Sequence, residues 1–198
     1  MKAAKTNQSR WALFAYVGIA AVAIAIGGFL LTPEQQLPVY QPSDLNPALV
    51  DATVLGHEDH RILSFELVNQ LGDTVRNADV QGQVLVVDFF FTRCATICPL
   101  LTTNMKRVQD RVMEDDRVRL MSHSVTPVAD SVSVLRDYGE AKGVDSRRWW
   151  LLTGDKTEVY KLARKSYFAA LDEGDGGFQD FVHTENMVLV DTLGRLRG

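Results

Sequence analysis

The sequence predicts an α/β domain, a central mixed sheet flanked by helices, carried behind one N-terminal transmembrane helix. Three observations predict it. Trp11 to Leu31 is a run of 21 residues without a charge. Val84 to Phe91 (VLVVDFFF) is a short, almost continuous apolar run bounded by Gly82 and Thr92. From about Val54 onward, strand-like and helix-like patterns alternate as β-α-β-α-β-β without an internal repeat.

The N-terminal run comes first. As a helix its 21 residues span about 31 Å, the thickness of a bilayer's hydrocarbon core. Lys2, Lys5 and Arg10 precede it, and Pro33 and Glu34 follow. Basic residues stay on the cytoplasmic side, so residues 1–10 are expected in the cytoplasm, 11–31 across the inner membrane, and the rest on the outer, periplasmic side. A buried core helix is one alternative, opposed by uniform apolarity so close to the terminus, and a cleaved signal peptide is the other. Its small-residue site would have to be Ala21-Val22-Ala23, which sits inside the apolar stretch rather than after it. No cysteine follows the segment to take a lipid.

Residues 32–53 read as a proline-rich linker. Four of the six prolines lie here, at Pro33, Pro38, Pro42 and Pro47. Proline fixes φ and removes a donor, so the stretch is expected to be an extended spacer. An arm packed on the domain surface is the other reading.

The domain is expected over residues 54–198. Phe65, Leu67 and Val68 suggest a first strand, with a turn at Asn69 to Asp73. Val84 to Phe91, rich in β-branched and aromatic residues, fits a strand covered on both faces. Leu101, Met105, Val108 and Val112 share one helical face. Arg117 to His123 is the next strand. Asp130 can cap a helix to about Tyr138, with Gly139 as its stop. Trp149 to Leu152 is a strand, and Asp155 with Glu158 gives a capping-box start to a helix ending near Arg164. Asp172 to Gly177 is a polar loop, Met187 to Asp191 a last strand, and Leu193-Gly194 a turn.

Charge narrows the function. Beyond the three N-terminal basic residues the chain holds 18 basic and 25 acidic groups, net −7. Such a surface is unsuited to wrapping nucleic-acid phosphates, so no nucleic-acid partner is expected.

Cys94 and Cys98 are the two cysteines, and Pro99 follows the second. They come directly after the central strand, at a strand-to-helix junction. Helix N-termini carry unpaired N–H groups and partial positive charge, and Arg93 adds a cation, so the thiolate forms are expected to be favoured. The spacing is four, which puts both sulfurs on one face of a helical turn, placed to grip one ion. They can also form a disulfide, although so short a ring asks for local distortion and would constrain the unfolded chain little. Other polar residues have plainer readings. His57 and His60, with Glu58 and Asp59, form an H-x-x-H cluster that can be a second metal site but suits an exposed turn better. His123 at a strand end reads as structural or neutral. Asp88, inside the buried strand, needs a partner or a raised pKa.

Together these residues resemble the Sco/SenC family. The carrying stretch is Phe89 to Pro99 (FFFTRCATICP), similar to that family's strand followed by CxxxCP. Ser124-Val125-Thr126-Pro127 with Asp130 is similar to its serine-x-aspartate-proline-x-x-aspartate segment, with Thr126 where the first aspartate stands. Trp150 to Gly154 is a third match. His183-Thr184, leading into Val188-Leu189-Val190-Asp191 and Gly194, is a fourth. The likeness runs from about Leu37 to the end. Family members continue beyond the point where this chain stops, Arg195 to Gly198, so the C-terminal end is expected to be truncated.

The resemblance implies a thioredoxin-like fold and a copper site made by Cys94, Cys98 and His183. Two thiolates and an imidazole suit Cu(I) and can also accept Cu(II). Zinc competes, but a structural zinc site usually takes four protein ligands. The implied function is a membrane-tethered copper metallochaperone for the dinuclear copper centre of cytochrome c oxidase, with the copper-site subunit as partner. The alternative is a thiol–disulfide oxidoreductase that reduces the target's cysteines, with a Cys94–Cys98 disulfide as the oxidised form and Cys94 attacking. A copper or redox sensor would use the same residues. A peroxidase fits poorly, because Val87 and Phe91 occupy positions where that chemistry uses Pro and Thr or Ser.

Overall fold

The computed structural model describes residues 5–31, 36–50, 53–56, 58–94, 98–169 and 186–198. They fall into two compact units, residues 1–36 and Leu37–Gly198. The first unit is one helix, α1 (Lys5–Leu31). Its Trp11–Gly28 window has a mean hydropathy of 2.0, and it is the one described helix long and apolar enough to cross a membrane.

The second unit is built on a six-stranded sheet. Its strands are β1 (Glu66–Asn69), β2 (Thr74–Arg76), β3 (Val84–Phe90), β4 (Val118–Ser124), β5 (Trp149–Thr153) and β6 (Val188–Val190). In space they run β2-β1-β5-β4-β3-β6. The central β5-β4-β3 trio is parallel. β1 joins β5 antiparallel, β2 joins β1 antiparallel, and β6 closes the other side antiparallel to β3. This is the expected mixed sheet. The β1–β2 hairpin adds one strand beyond the expected pattern, because β2 is only three residues long and too short to show an alternation.

Alternation along β3 divides the core. Leu85, Val87 and Phe89 point into one cluster with Leu67, Met121, Leu152, Tyr160 and Tyr167. Val86 and Phe90 point into the other, with Cys98, Met105, Leu120, Leu135, Trp149 and Leu151. α3 (Cys98–Val112) and α4 (Val132–Lys142) cover this second face. α5 (Lys156–Lys161) and the π-helical segment Leu162–Ser166 cover the first. The short helix α2 is Asn77–Val80.

Two helix ends differ from the sequence expectation. α4 starts from Ser131, whose side chain accepts the Val134 N–H, because the Asp130 carboxylate is turned inward and fully buried. It runs past the buried Gly139 to Gly143, where φ is +70°. Gly139 faces the sheet with Leu151 beside it, so it is a close-packing position rather than a stop. α5 does begin at Asp155, which caps the Glu158 N–H at 3.0 Å. The Glu158 carboxylate does not close the box; it accepts the Glu66 N–H of β1 at 2.8 Å.

Between the two expectations for the proline stretch, residues 37–50 take the packed one. Pro42 and Val50 are buried, Tyr40 bridges Leu196, and Leu45 and Leu49 lean on the core. Pro42–Asp44 and Pro47–Leu49 are short 3-10 turns. After β6 the chain turns at Asp191–Arg195 and returns alongside it, with the Leu189 N–H on the Gly198 carbonyl. Asp191 holds this turn through Arg195 and Arg197.

Candidate metal and thiol site

β3 and β4 end side by side, Phe90 opposite Ser124. The chain leaves β3 through Phe91 to Cys94, where the Cys94 N–H closes a turn on the Phe91 carbonyl at 3.3 Å. It re-enters described structure at Cys98, the first residue of α3. The strand-to-helix placement of the thiols is therefore as expected. Both cysteines are unbridged, Cys94 half-buried and Cys98 buried.

The pair is asymmetric. The Cys98 backbone N–H donates to Cys94 Sγ at 3.4 Å. An orphan amide of the helix start thus serves the first sulfur, the arrangement that favours thiolate there. Cys98 goes the other way from the expectation: its thiol is pushed up to about 12, first by burial, then by the hydrogen bond to Cys94 and the nearby negative groups Cys94 and Asp88. In sequence the two cysteines look alike because both lie near one helix end. The fold buries Cys98 in the cluster that holds Phe90, Met105 and Leu135, whereas Cys94 packs against that cluster only half-buried.

Beneath the pair, on the same face of the sheet by alternation, lies Asp88. It is almost fully buried. Its pKa is pushed up from an ordinary 3.8 to about 7 by burial, opposed by a hydrogen bond from Ser122. Ser122 Oγ in turn accepts the Trp149 indole N–H at 2.8 Å. Asp88 Oδ1 has no hydrogen-bond partner among the described residues. Tyr138 of α4 closes the side of this region. Its hydroxyl pairs with Thr102 Oγ1 at 2.8 Å, and its ring lies 5.4 Å from that of Phe90. Burial raises its pKa, and negative charge on Cys98, Asp88 and Cys94 adds to the rise.

Asp130, expected as a helix cap, is instead the centre of a hydrogen-bond cluster. It is fully buried and accepts from four donors: Thr92 N–H at 3.2 Å, Thr92 Oγ1 at 2.6 Å, Ser124 Oγ at 2.6 Å and Thr126 Oγ1 at 3.0 Å. Thr126, standing where the resemblance would put an aspartate, is thus one of its partners.

The histidines separate. His183 and His57 lie outside the described residues. His60 is buried rather than in an exposed turn; its Nε2 lies 2.9 Å from the Ser166 carbonyl and its ring rests 4.6 Å from that of Phe168. His123 is structural, as expected, stacked 5.1 Å from Phe89. Neither of its ring nitrogens has a hydrogen-bond partner among the described residues. Burial pushes its pKa down to about 4, with the Asp88 backbone opposing. Among the described residues, no group of three or more His, Cys, Asp or Glu side chains is placed to hold a metal ion. The two sulfurs contribute soft donors from one strand-to-helix corner, fit for a soft cation with further ligands from outside those residues.

Comparison with known proteins reaches the same region. A model of the family described as SCO1/SenC matches residues 56–198. The SCO1 protein homolog of Bacillus subtilis is 31% identical over 140 residues, spanning 70% of this chain and 72% of that protein. Among solved structures, BsSco, described as a Sco family cytochrome c oxidase assembly protein with a disulfide switch, is 28% identical. It superposes with a TM-score of 0.60 over 72% of this chain and 84% of its own. ScoI of Bradyrhizobium japonicum, solved with copper bound, shares the fold at 24% identity and a TM-score of 0.58, over 71% of this chain and 88% of its own.

Proposed function

The chain belongs to the SCO1/SenC family, and we propose that it is a membrane-tethered copper metallochaperone serving the dinuclear copper centre of cytochrome c oxidase. Cys94, Cys98 and His183 are the proposed ligands. The observation that carries the reading is the sulfur pair at the α3 start, with Cys94 Sγ already in contact with the Cys98 amide. Two thiolates in one helical corner favour Cu(I) over hard cations. Cu(II) is a second cargo for the same donors. Because Cys98 holds its proton tightly, loading copper releases a proton there, and affinity rises with pH.

The tether follows from the same reading. α1 is taken as a single span with residues 1–10 in the cytoplasm and the domain on the periplasmic side of the inner membrane. The short stretch between Leu31 and Leu37 joins the two. A copper-site subunit in the same membrane would then meet the domain at raised effective concentration.

A thiol–disulfide oxidoreductase is the second reading. The asymmetry of the pair favours it: a more exposed Cys94 served by a helix amide, beside a buried Cys98 that keeps its proton, is the division of labour of an attacking and a resolving thiol. The disulfide switch of BsSco belongs to that relative and is consistent with either reading here.

Titration of the reduced full chain, in detergent, with Cu(I) against a competing chelator tests the proposal. One-to-one binding, weakened by Cys94→Ser, Cys98→Ser and His183→Ala alike, is the expected result. Unchanged affinity in His183→Ala would remove that ligand. No binding at all, with disulfide reduction intact, would leave the oxidoreductase.

A further inference from the structure

We infer that Asp130 and Thr92 are positioning residues for the thiol pair, with the buried Asp130 carboxylate anchoring the segment that carries Cys94. This rests on the reading of Cys94 and Cys98 as the working pair.

The Asp130 carboxylate is buried, and a buried polar group without hydrogen bonds is costly. Here all four of its partners donate. Two donations come from Thr92, through its amide and its hydroxyl, so this residue is held at two points. The other two come from the end of β4 and the turn after it, Ser124 and Thr126. Ser124 Oγ also accepts the Thr126 N–H at 3.2 Å, which ties that turn to itself. β3 and β4 are parallel and in register at Phe90 and Ser124. The carboxylate therefore pins the segment leaving β3 to a rigid neighbouring strand.

Thr92 is two residues before Cys94. Fixing it fixes the turn whose Cys94 N–H meets the Phe91 carbonyl, and through that turn the reach of Cys94 Sγ to the Cys98 amide. A freer segment would lower the effective concentration of one thiol at the other. The equilibrium that reads this directly is exchange with glutathione: the Cys94–Cys98 disulfide plus two glutathione thiols gives two protein thiols plus glutathione disulfide. The protein disulfide accepts two electrons, and the two glutathione thiols supply them as they couple into glutathione disulfide. Loosening the segment should favour the dithiol.

Thr92 and Thr126 make a matched pair for the test. Each is half-buried and gives one hydroxyl bond to Asp130, but only Thr92 leads to Cys94. The full chain in detergent, as wild type, Thr92→Val, Thr92→Ser and Thr126→Val, is equilibrated across glutathione buffers. Each sample is acid-quenched, alkylated and read by mass, and its thermal midpoint is measured alongside. We expect the two valine variants to lose thermal stability to a similar degree. Thr92→Val alone should shift the exchange constant about tenfold toward the dithiol, about 30 mV for this two-electron couple. Thr92→Ser and Thr126→Val should stay within about twofold of wild type. An exchange constant for Thr92→Val equal to wild type, or an equal shift in Thr126→Val, overturns the positioning role while the thiol-pair reading stands. A wild-type chain that forms no Cys94–Cys98 disulfide in any buffer overturns that reading and this inference with it.

Discussion

Replacing Asp88 with asparagine should make the domain more stable, and by an amount that depends on pH. In the folded chain the Asp88 carboxyl is raised from 3.8 to about 7 by burial. A raised folded pKa means the contribution to stability is fully present below about pH 4 and is lost as pH rises through about 7. At about 1.4 kcal/mol for each pKa unit, ionising this buried group costs the fold up to about 4 kcal/mol by pH 8. Against a total stability of roughly 5–15 kcal/mol this is a large share. Asparagine keeps the shape and never ionises. His123 complicates the raw profile, because its pKa is depressed to about 4 and its contribution runs the opposite way, present above its ordinary 6.5 and lost as pH falls through about 4. Subtracting wild type from Asp88→Asn cancels it, since His123 points to the other face and is common to both chains. Guanidinium unfolding followed by Trp149 and Trp150 fluorescence, at several pH values between about 4 and 8, gives the difference. The two chains should agree within about 1 kcal/mol near pH 4 and separate by a few kcal/mol, with the variant the more stable, near pH 8. A difference that is flat in pH, or that widens toward acid, would refute the reasoning.

Three further outcomes follow from the same geometry. Iodoacetamide at neutral pH should label Cys94 well before Cys98, since the second thiol is buried and held near 12; a mass-spectrometric time course with equal rates would contradict the asymmetry. Gly154→Ala should lower stability by about 1–3 kcal/mol, because the new Cβ would stand 2.6 Å from Leu67 Cδ2, a core side chain with little room to move; a calorimetric midpoint unchanged from wild type would show that Leu67 repacks freely. Gly143→Ala should cost about 1–2 kcal/mol, for its φ of +70° is left-handed. Gly139→Ala, whose Cβ would meet Leu151 at 3.4 Å, should cost distinctly less, and the reverse order in urea midpoints would count against the revised end of α4.

Much of this architecture was legible in the residues themselves. A charge-free run of 21 residues is a local property, and α1 covers it. The β3 run, the α3 face and the Asp155 cap are also local: each is set by side-chain period or by a hydrogen bond across three residues. The thiols could be placed at a strand-to-helix corner for the same reason. What the tertiary structure alone decided was how like residues differ. Cys94 and Cys98 are four apart in sequence, yet Cys98, the first residue of α3, is buried inside the core cluster on that face of the sheet, while Cys94 sits half-buried at its edge. Asp130 has the composition of a helix cap, and it stands immediately before Ser131, the residue that caps α4. Its actual partners include Thr92, 38 residues away, which only the parallel pairing of β3 with β4 brings near. His60 meets the Ser166 carbonyl across 106 residues, and no pattern along the chain marks it as buried. Sequence period reports which face a residue shares with its neighbours; which distant group that face meets is fixed only when the sheet order is fixed.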